Sequence, residues 1–322
     1  MNAMKIITII CWIITAVVLA GLVVWFLTGS VFGLWGDSWD GNWSFGLSWE
    51  NITGPFEVQG VHTANTTGLD SISIQWVAGE ITVIPHDGNE IQITESAQRE
   101  LRDDESLTMS TDGGTLTIRF RERGFSGRMP KKNLEVLVPH ELSANLAELL
   151  INSTSGSIMV DSFEAAKVDV TSVSGSIGIY NTVSQNVGLN TTSGTVSLTS
   201  VRAGRLDANS VSGAVAVNES FVTMLDLNTT SGSVTASGEF DRVNVGTISG
   251  STTIRSTTVP SRVDISSVSG GMDIYVPNYG EITVSHSAVS GRFSSDVPVI
   301  MQSGAAYNFS SVSGSTRIHA LD

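Results

Sequence analysis

The sequence predicts an all-β protein, a parallel β-solenoid (β-helix) with coils of about 19 residues, preceded by one N-terminal transmembrane helix. Three observations predict it. A Ser-Gly pair recurs with its serine at 155, 174, 193, 212, 231, 249, 269, 290 and 313. Alternating apolar and polar residues flank each pair, as in VDVTSVSGSIGI (168–179) and LDLNTTSGSVTA (225–236). Ahead of the array stands an apolar run without a charge, residues 6–27.

That run, IITIICWIITAVVLAGLVVWFL, would reach roughly 33 Å as a helix at about 1.5 Å per residue, enough for one bilayer crossing. Lys5 precedes it and Asp37 and Asp40 follow, so the positive-inside tendency puts the N-terminus in the cytoplasm and the C-terminal domain outside. A cleaved signal peptide would carry a shorter apolar core and a small-x-small site, so residues 1–27 read as a cytoplasmic tip and a retained anchor in the cell membrane. Cys11, the only cysteine, lies inside the run as an apolar filler. The body therefore has no intrachain disulfide and no thiol chemistry to offer.

Residues 28–55 form a Gly- and Trp-rich stem in which Trp35, Trp39, Trp43 and Trp49 recur. Tryptophan suits the headgroup level, where the ring is half-buried and its N–H stays wet, so the stem is expected on the outer membrane face. A platform for stacking glycans is the competing reading.

Residues 56–145 are expected to be β-rich. ISIQWVAGEITV (72–83) carries the repeat register, with Trp76 in the small polar position and Ala78 in that of the serine, and reads as a degenerate first coil. An excursion follows, with short strands at 107–109 and 116–120 around the turn Asp112-Gly113-Gly114.

Residues 146–322 hold the regular coils. Period-2 alternation on both sides of each Ser-Gly marks two half-buried strands joined by a bend. A third apolar position at Phe163, Val183, Val201, Phe221, Phe240 and Val259 suggests a third, shorter face. Units this short cannot bury their own apolar stripes, so they stack about 4.8 Å apart; nine coils make a rod roughly 43 Å long.

Chemistry is harder to find. Net charge is −14 with only 17 basic residues, which disfavours nucleic acid as a partner. The repeated serines lack a base in register with them, since none of His62, His86, His140, His286 and His319 follows the repeat. Ser174, Ser193, Ser212 and Ser231 are instead expected to form a hydrogen-bonded ladder at one corner.

Five residues before the serines runs a polar column: Asp169, Gly188, Asp207, Asp226, Asn244, Asp264, Ser285 and Asn308. Neighbouring carboxylates at Asp207 and Asp226 could hold calcium or work as an acid/base pair; an exposed polar row is the simpler reading, because a cation cage needs more oxygens than two aligned acids supply.

Arg99, Arg102, Arg119, Arg121, Arg123, Arg128, Lys131 and Lys132 crowd into one segment, of which Arg119, Arg121 and Arg123 are candidate contacts to lipid headgroups or wall polymer. The simpler reading is a solvated, charged loop. Late insertions around 275–280 and 298–307 lengthen the interval and make Tyr275 and Tyr279 further contact candidates, with ordinary loop packing as the alternative. Eight N-x-S/T sequons are what a chain this rich in Asn, Ser and Thr produces unselected. No nucleotide or zinc motif occurs, so neither a cofactor nor a metal is expected. The C-terminal coil, 313–322, has no evident cap and could self-associate.

The repeated S-V-S-G-S units, led in by NLEVLVPHEL (133–142), resemble the bacterial β-strand-repeat family of unknown function commonly labelled "putative adhesin". The resemblance covers roughly residues 56–322. It implies an anchored or exported envelope protein, in some members tied to envelope stress, and it implies no catalytic or binding residue. The function expected is a non-enzymatic scaffold or adhesin-like binding module contacting wall polymer, lipid headgroups or another envelope protein. The alternative is a β-helix carbohydrate-active enzyme, a polysaccharide lyase or hydrolase using Asp207 and Asp226.

Overall fold

The computed structural model describes residues 54–121, 129–279, 281–300 and 304–321. The expected anchor and all but the last two residues of the stem lie outside these; among the described residues no helix is long and apolar enough to cross a membrane.

The N-terminal part holds β1 (Glu57–Asn65), β2 (Ser71–Ala78), β3 (Ile81–His86), β4 (Glu90–Ala97), β5 (Thr108–Asp112), β6 (Thr115–Arg119) and β7 (Lys132–Pro139), then a one-turn helix α1 (His140–Ser143). The array continues with β8 (Leu146–Ser155), β9 (Ile158–Asp161), β10 (Glu164–Ser174), β11 (Ile177–Tyr180), β12 (Val183–Thr191), β13 (Val196–Thr199), β14 (Arg202–Ser210), β15 (Val215–Ser231) and β16 (Val234–Ser249). It ends with β17 (Thr252–Ser256), β18 (Arg262–Ser269), β19 (Met272–Pro277), β20 (Ile282–Ser290), β21 (Phe293–Ser295), β22 (Ala305–Ser313) and β23 (Thr316–Leu321).

Successive repeats lie on one another as parallel strands, as predicted. Val170 stands between Ile151 and Leu189, and Ile179 between Val160 and Leu198. Within one coil Val168 and Val170 point inward from the long strand and Ile177 and Ile179 from the short one, all fully buried. Two consecutive outward residues, Ala166 and Lys167, break the alternation and mark the bend into a third, two-residue face.

The Ser-Gly corner needs glycine because the coils touch there through backbone: a Cβ on Gly213 would stand 2.0 Å from the Gly194 carbonyl oxygen. The opposite corner takes residues into the left-handed region, with φ of 62° at Ser162, 46° at Asn181, 58° at Ser200 and 49° at Glu219. Each costs about 1 kcal/mol, offset by coil-to-coil backbone bonds such as Asn181 N–H to Thr199 O at 3.0 Å.

Two expectations shift by a residue or two. The inward column of the third face runs Phe163, Thr182, Val201 and Ser220, all buried, whereas Val183 and Phe221 point outward and are about two-fifths exposed. Thr182 and Ser220 fit inside because their hydroxyls donate to carbonyls two residues back, Tyr180 O and Asn218 O, each at 2.8 Å. The serines of the Ser-Gly pairs are not the ladder either, because Ser174, Ser193, Ser212 and Ser231 sit on the outside of the bend, exposed. The inward hydroxyls lie two residues earlier: Thr191, Ser210 and Thr229 donate to Gly175 O, Gly194 O and Gly213 O of the coil below at 3.1–3.4 Å.

Both ends of the stack depart from chain order. At the N-terminal end β2 and β3 stack on β8 and β9, with Trp76 beside Ser153 and Ala78 beside Ser155. Beyond them the chain returns, laying β6 on β2 and β7 on β3. Antiparallel strands close this end: β5 on β6, β4 on β7 and β1 on β4. At the other end β22 lies between β18 and β20, and β23 between β19 and β21. The C-terminal coil is therefore interior, and the terminal layer is β20–β21, which corrects the expectation of a self-associating edge at 313–322.

Candidate functional site

The outward face of the long strands carries the polar column and, two residues on, a row of asparagines, and members of each bond their neighbours across coils. Asn209 Nδ2 donates to Asn190 Oδ1 and Asn228 Nδ2 to Asn209 Oδ1, each at 3.1 Å, one amide per coil. Arg205 bridges the acid pair, Nε to Asp207 Oδ2 and Nη2 to Asp226 Oδ2, both at 2.7 Å. The hydrogen bond with Asp207 leads in holding the guanidinium above its ordinary range. Asn244 donates to the remaining oxygen of Asp226 at 2.8 Å, and Asn308 does the same for Asp264, which also pairs with Arg262. Asp207 and Asp226 are thus neighbours, as the register predicts, but they share a cation from their own chain. A second such cluster has Lys167 between Glu148 and Asp169, at 2.9 and 2.6 Å; its ammonium is pushed above the ordinary lysine range by those two carboxylates.

The adjoining face carries an aromatic stack. Tyr275 on β19 lies between Arg255 on β17, whose guanidinium carbon is 3.7 Å from the ring centroid, and His319 on β23, stacked at 4.4 Å and 17°. His319 extends the row to Asp273 through Nε2 at 3.2 Å and to Asp296 through Nδ1 at 3.5 Å. Both faces of the Tyr275 ring are therefore occupied by its own protein. Tyr279, in the loop after β19, is 64% exposed and is the more accessible of the two tyrosines.

The basic segment divides. Arg99 and Arg102 both close on the buried Glu105 at 2.8 Å, and the Arg99 hydrogen bond leads in pulling that carboxyl down to about 2. Lys132 is fully buried: Nζ meets Glu95 Oε1 at 2.6 Å, donates to the carbonyls of Glu105 and Phe120, and lies 4.0 Å from the Phe120 ring centroid. Burial pulls its ammonium down to about 8. Trp76 completes the cluster, donating Nε1–H to Lys132 O at 2.8 Å and packing edge-on against Phe120. Arg119 is exposed and reaches Gln75 at 3.2 Å; Arg121 is half-buried; Arg123 lies outside the described residues.

Two groupings escaped the sequence reading. Arg255 and Tyr275 could have been paired from their positions in consecutive coils, but His319 could not, because β23 joins the stack out of chain order. The Lys132–Glu95 pair joins two antiparallel cap strands whose register no repeat encodes.

Among the described residues no group of three or more His, Cys, Asp or Glu is placed to hold a metal ion. What the outer faces offer is a set of internally bonded ladders flanked by one exposed aromatic loop.

The family described as Toastrack DUF4097 matches residues 69–320. The chain belongs to this family. The match spans the degenerate coil, the cap apart from β1, and the regular coils of the Toastrack rod, so the family expected from the Ser-Gly repeat is the family found. No curated protein matches. Among solved structures, one of a Bacteroides fragilis protein described as a putative adhesin is 11% identical, covers 81% of this chain and 96% of its own, and has a TM-score of 0.45. One from Parabacteroides distasonis, also described as a putative adhesin, is 11% identical over 82% of this chain and 97% of its own, with a TM-score of 0.42. A second Parabacteroides distasonis protein, described as a putative lipid binding protein, is 16% identical over 83% and 98%, with a TM-score of 0.39.

Proposed function

We propose that this Toastrack protein is a non-enzymatic module of the bacterial cell envelope, held by residues 6–27 in the cell membrane with its N-terminus in the cytoplasm and its rod outside, where it serves as a scaffold or adhesin-like binder. The observation that carries the reading is the use the rod makes of its own polar groups. Arg205 holds both Asp207 and Asp226, and Asn190, Asn209 and Asn228 bond in series, so the face on which a β-helix enzyme would place its acids is committed to coil-to-coil bonding. Contact to wall polymer, lipid headgroups or another envelope protein falls instead to the exposed Tyr279 loop and to the N-terminal segment bearing Arg119 and Arg121, which leaves a role in envelope stress open to the same surfaces.

The test is photo-crosslinking from Tyr279 and Arg119 in intact membranes. Capture of one envelope component from either site, lost when the site moves to the ladder position Asn209, is the expected result. Release of product from a wall or pectin-type polysaccharide, abolished by Asp207→Asn, would overturn the reading in favour of a carbohydrate-active enzyme.

A further inference from the structure

The two ends of the stack are finished differently. At the N-terminal end antiparallel β1, β4 and β5 lie over the last parallel layer. At the other end the terminal layer is β20–β21, and among the described residues the Val299–Ile300 segment alone crosses it, through a bridge at Ile282 and the bond from Ile300 N–H to Ile282 O at 2.9 Å. From Val284 to Ser290 the outer edge of β20 has no strand beside it among the described residues. Inward-facing Val284, His286 and Ala288 are only half-buried there, where their counterparts Tyr307, Phe309 and Ser311 one layer below are fully buried. Val289 stands 74% exposed.

A free edge this long is a template for another strand unless charge protects it. Charge does not protect this run: VSHSAVS (284–290) has no Asp, Glu, Lys or Arg, and the layer's charges, Glu281, Arg292 and Asp296, stand outside it. In a chain of net charge −14, two copies repel over most of their surface, and the neutral edge of β20 is a place where they can meet without that penalty.

We propose that the edge of β20 pairs with the β20 edge of a second copy, antiparallel about a two-fold axis perpendicular to the rod. A two-fold contact of this kind is self-complementary and closes, so association stops at two. It also covers the half-buried row of Val284, His286 and Ala288 on both partners. The geometry points the two N-terminal ends in opposite directions. Taken with the membrane-anchored reading proposed above, on which this consequence alone rests, the dimer joins two opposed membranes rather than two neighbours in one.

The test uses the full chain in detergent with Cys11→Ser and single cysteines at the outward positions of β20, Ser285→Cys and Ser287→Cys, treated with a short bifunctional thiol reagent; Ser193→Cys at mid-rod is the control. The expected result is a covalent dimer at one or both β20 sites formed about tenfold or more faster than at the control, as neighbouring thiols see each other at millimolar effective concentration. Rates at both sites equal to the control would overturn the proposal. As a second readout, Ser285→Lys with Ser287→Lys should weaken dimerisation about tenfold or more by sedimentation, since four ammonium groups are brought together. A dimer undiminished by these lysines would also overturn it. Clustering of vesicles carrying the chain then tests the membrane consequence: crosslinking without clustering would sink the anchored orientation while leaving the edge pairing intact.

Discussion

At the scale of single residues, backbone contact decides what a position tolerates. Gly213 stands at a corner and Gly188 inside β12, and a Cβ would meet fixed backbone at the first, 2.0 Å from Gly194 O, but only a carboxylate tip at the second, 2.2 Å from Asp169 Oδ1. The tip can rotate and the carbonyl cannot. Gly213→Ala should therefore destabilise by about 1–3 kcal/mol, as overpacking does, and Gly188→Ala by less than about 1 kcal/mol, read from urea midpoints. The buried ion pair of the cap is a second residue-scale case. Lys132→Met leaves Glu95 charged and unpaired in the core and should cost about 3–5 kcal/mol, most of it returned by adding Glu95→Leu. The same lysine has a pH signature. Its folded-state value, near 8, lies below the ordinary 10.5 because burial disfavours the ammonium, so the unfolded chain binds more protons between those values. Stability should then rise with pH from 8, until Tyr307, whose phenol is raised by burial, opposes it above 10. The Glu95→Leu/Lys132→Met chain should lack that rise; an equal rise in both would show that Lys132 is not its source.

At the scale of elements, the strands and their corners were legible because each coil repeats one pattern of alternation, and nineteen-residue spacing carried Asp207 onto Asp226 as drawn. What alternation could not place was the third face. There the inward side chain is a hydroxyl in two coils, Thr182 and Ser220, satisfied by its own corner carbonyl, and the apolar neighbours Val183 and Phe221 offered a false match one residue on. The bonded state of the polar column was likewise invisible, since Arg205 sits two residues from Asp207 and reaches across coils only once the sheet aligns them. That ladder makes a prediction of its own. With both carboxylates paired to Arg205 and Asn244 filling the last oxygen, calcium should leave the melting temperature of the full chain unmoved. Arg205→Gln should cost about 1 kcal/mol or less, because the cluster is part-exposed and screened by solvent. A calcium-dependent rise in melting temperature in the unaltered chain would show that the acids prefer a metal to their arginine.

At the scale of the molecule, the layers do not follow the chain. The sequence reading stacked coils in the order of their Ser-Gly pairs, and that order holds from β8 to β19 and fails at both ends, because strand pairing depends on edge complementarity and loop length rather than on proximity in sequence. The N-terminal return is held by charge as well as by strands: Glu105 gathers Arg99 and Arg102, and Lys132 reaches the Glu105 carbonyl. This makes the cap the acid-sensitive end. Glu105 has its folded-state value pulled from 4.5 to about 2, so its contribution is fully present above 4.5 and is lost as pH falls toward 2. With Arg102 largely exposed, that contribution is about 1–2 kcal/mol after solvent screening. Hydrogen exchange at falling pH should then show β4 to β7 losing protection before β12 to β16, whose layers are joined chiefly by backbone bonds and neutral amides and whose ion cluster, Arg205 with Asp207 and Asp226, is open to solvent screening. Glu105→Gln should bring that early opening to neutral pH. Simultaneous loss of protection along the whole rod would mean that cap and coils unfold as one cooperative unit, with the Glu105 cluster no weaker than the ladder it closes.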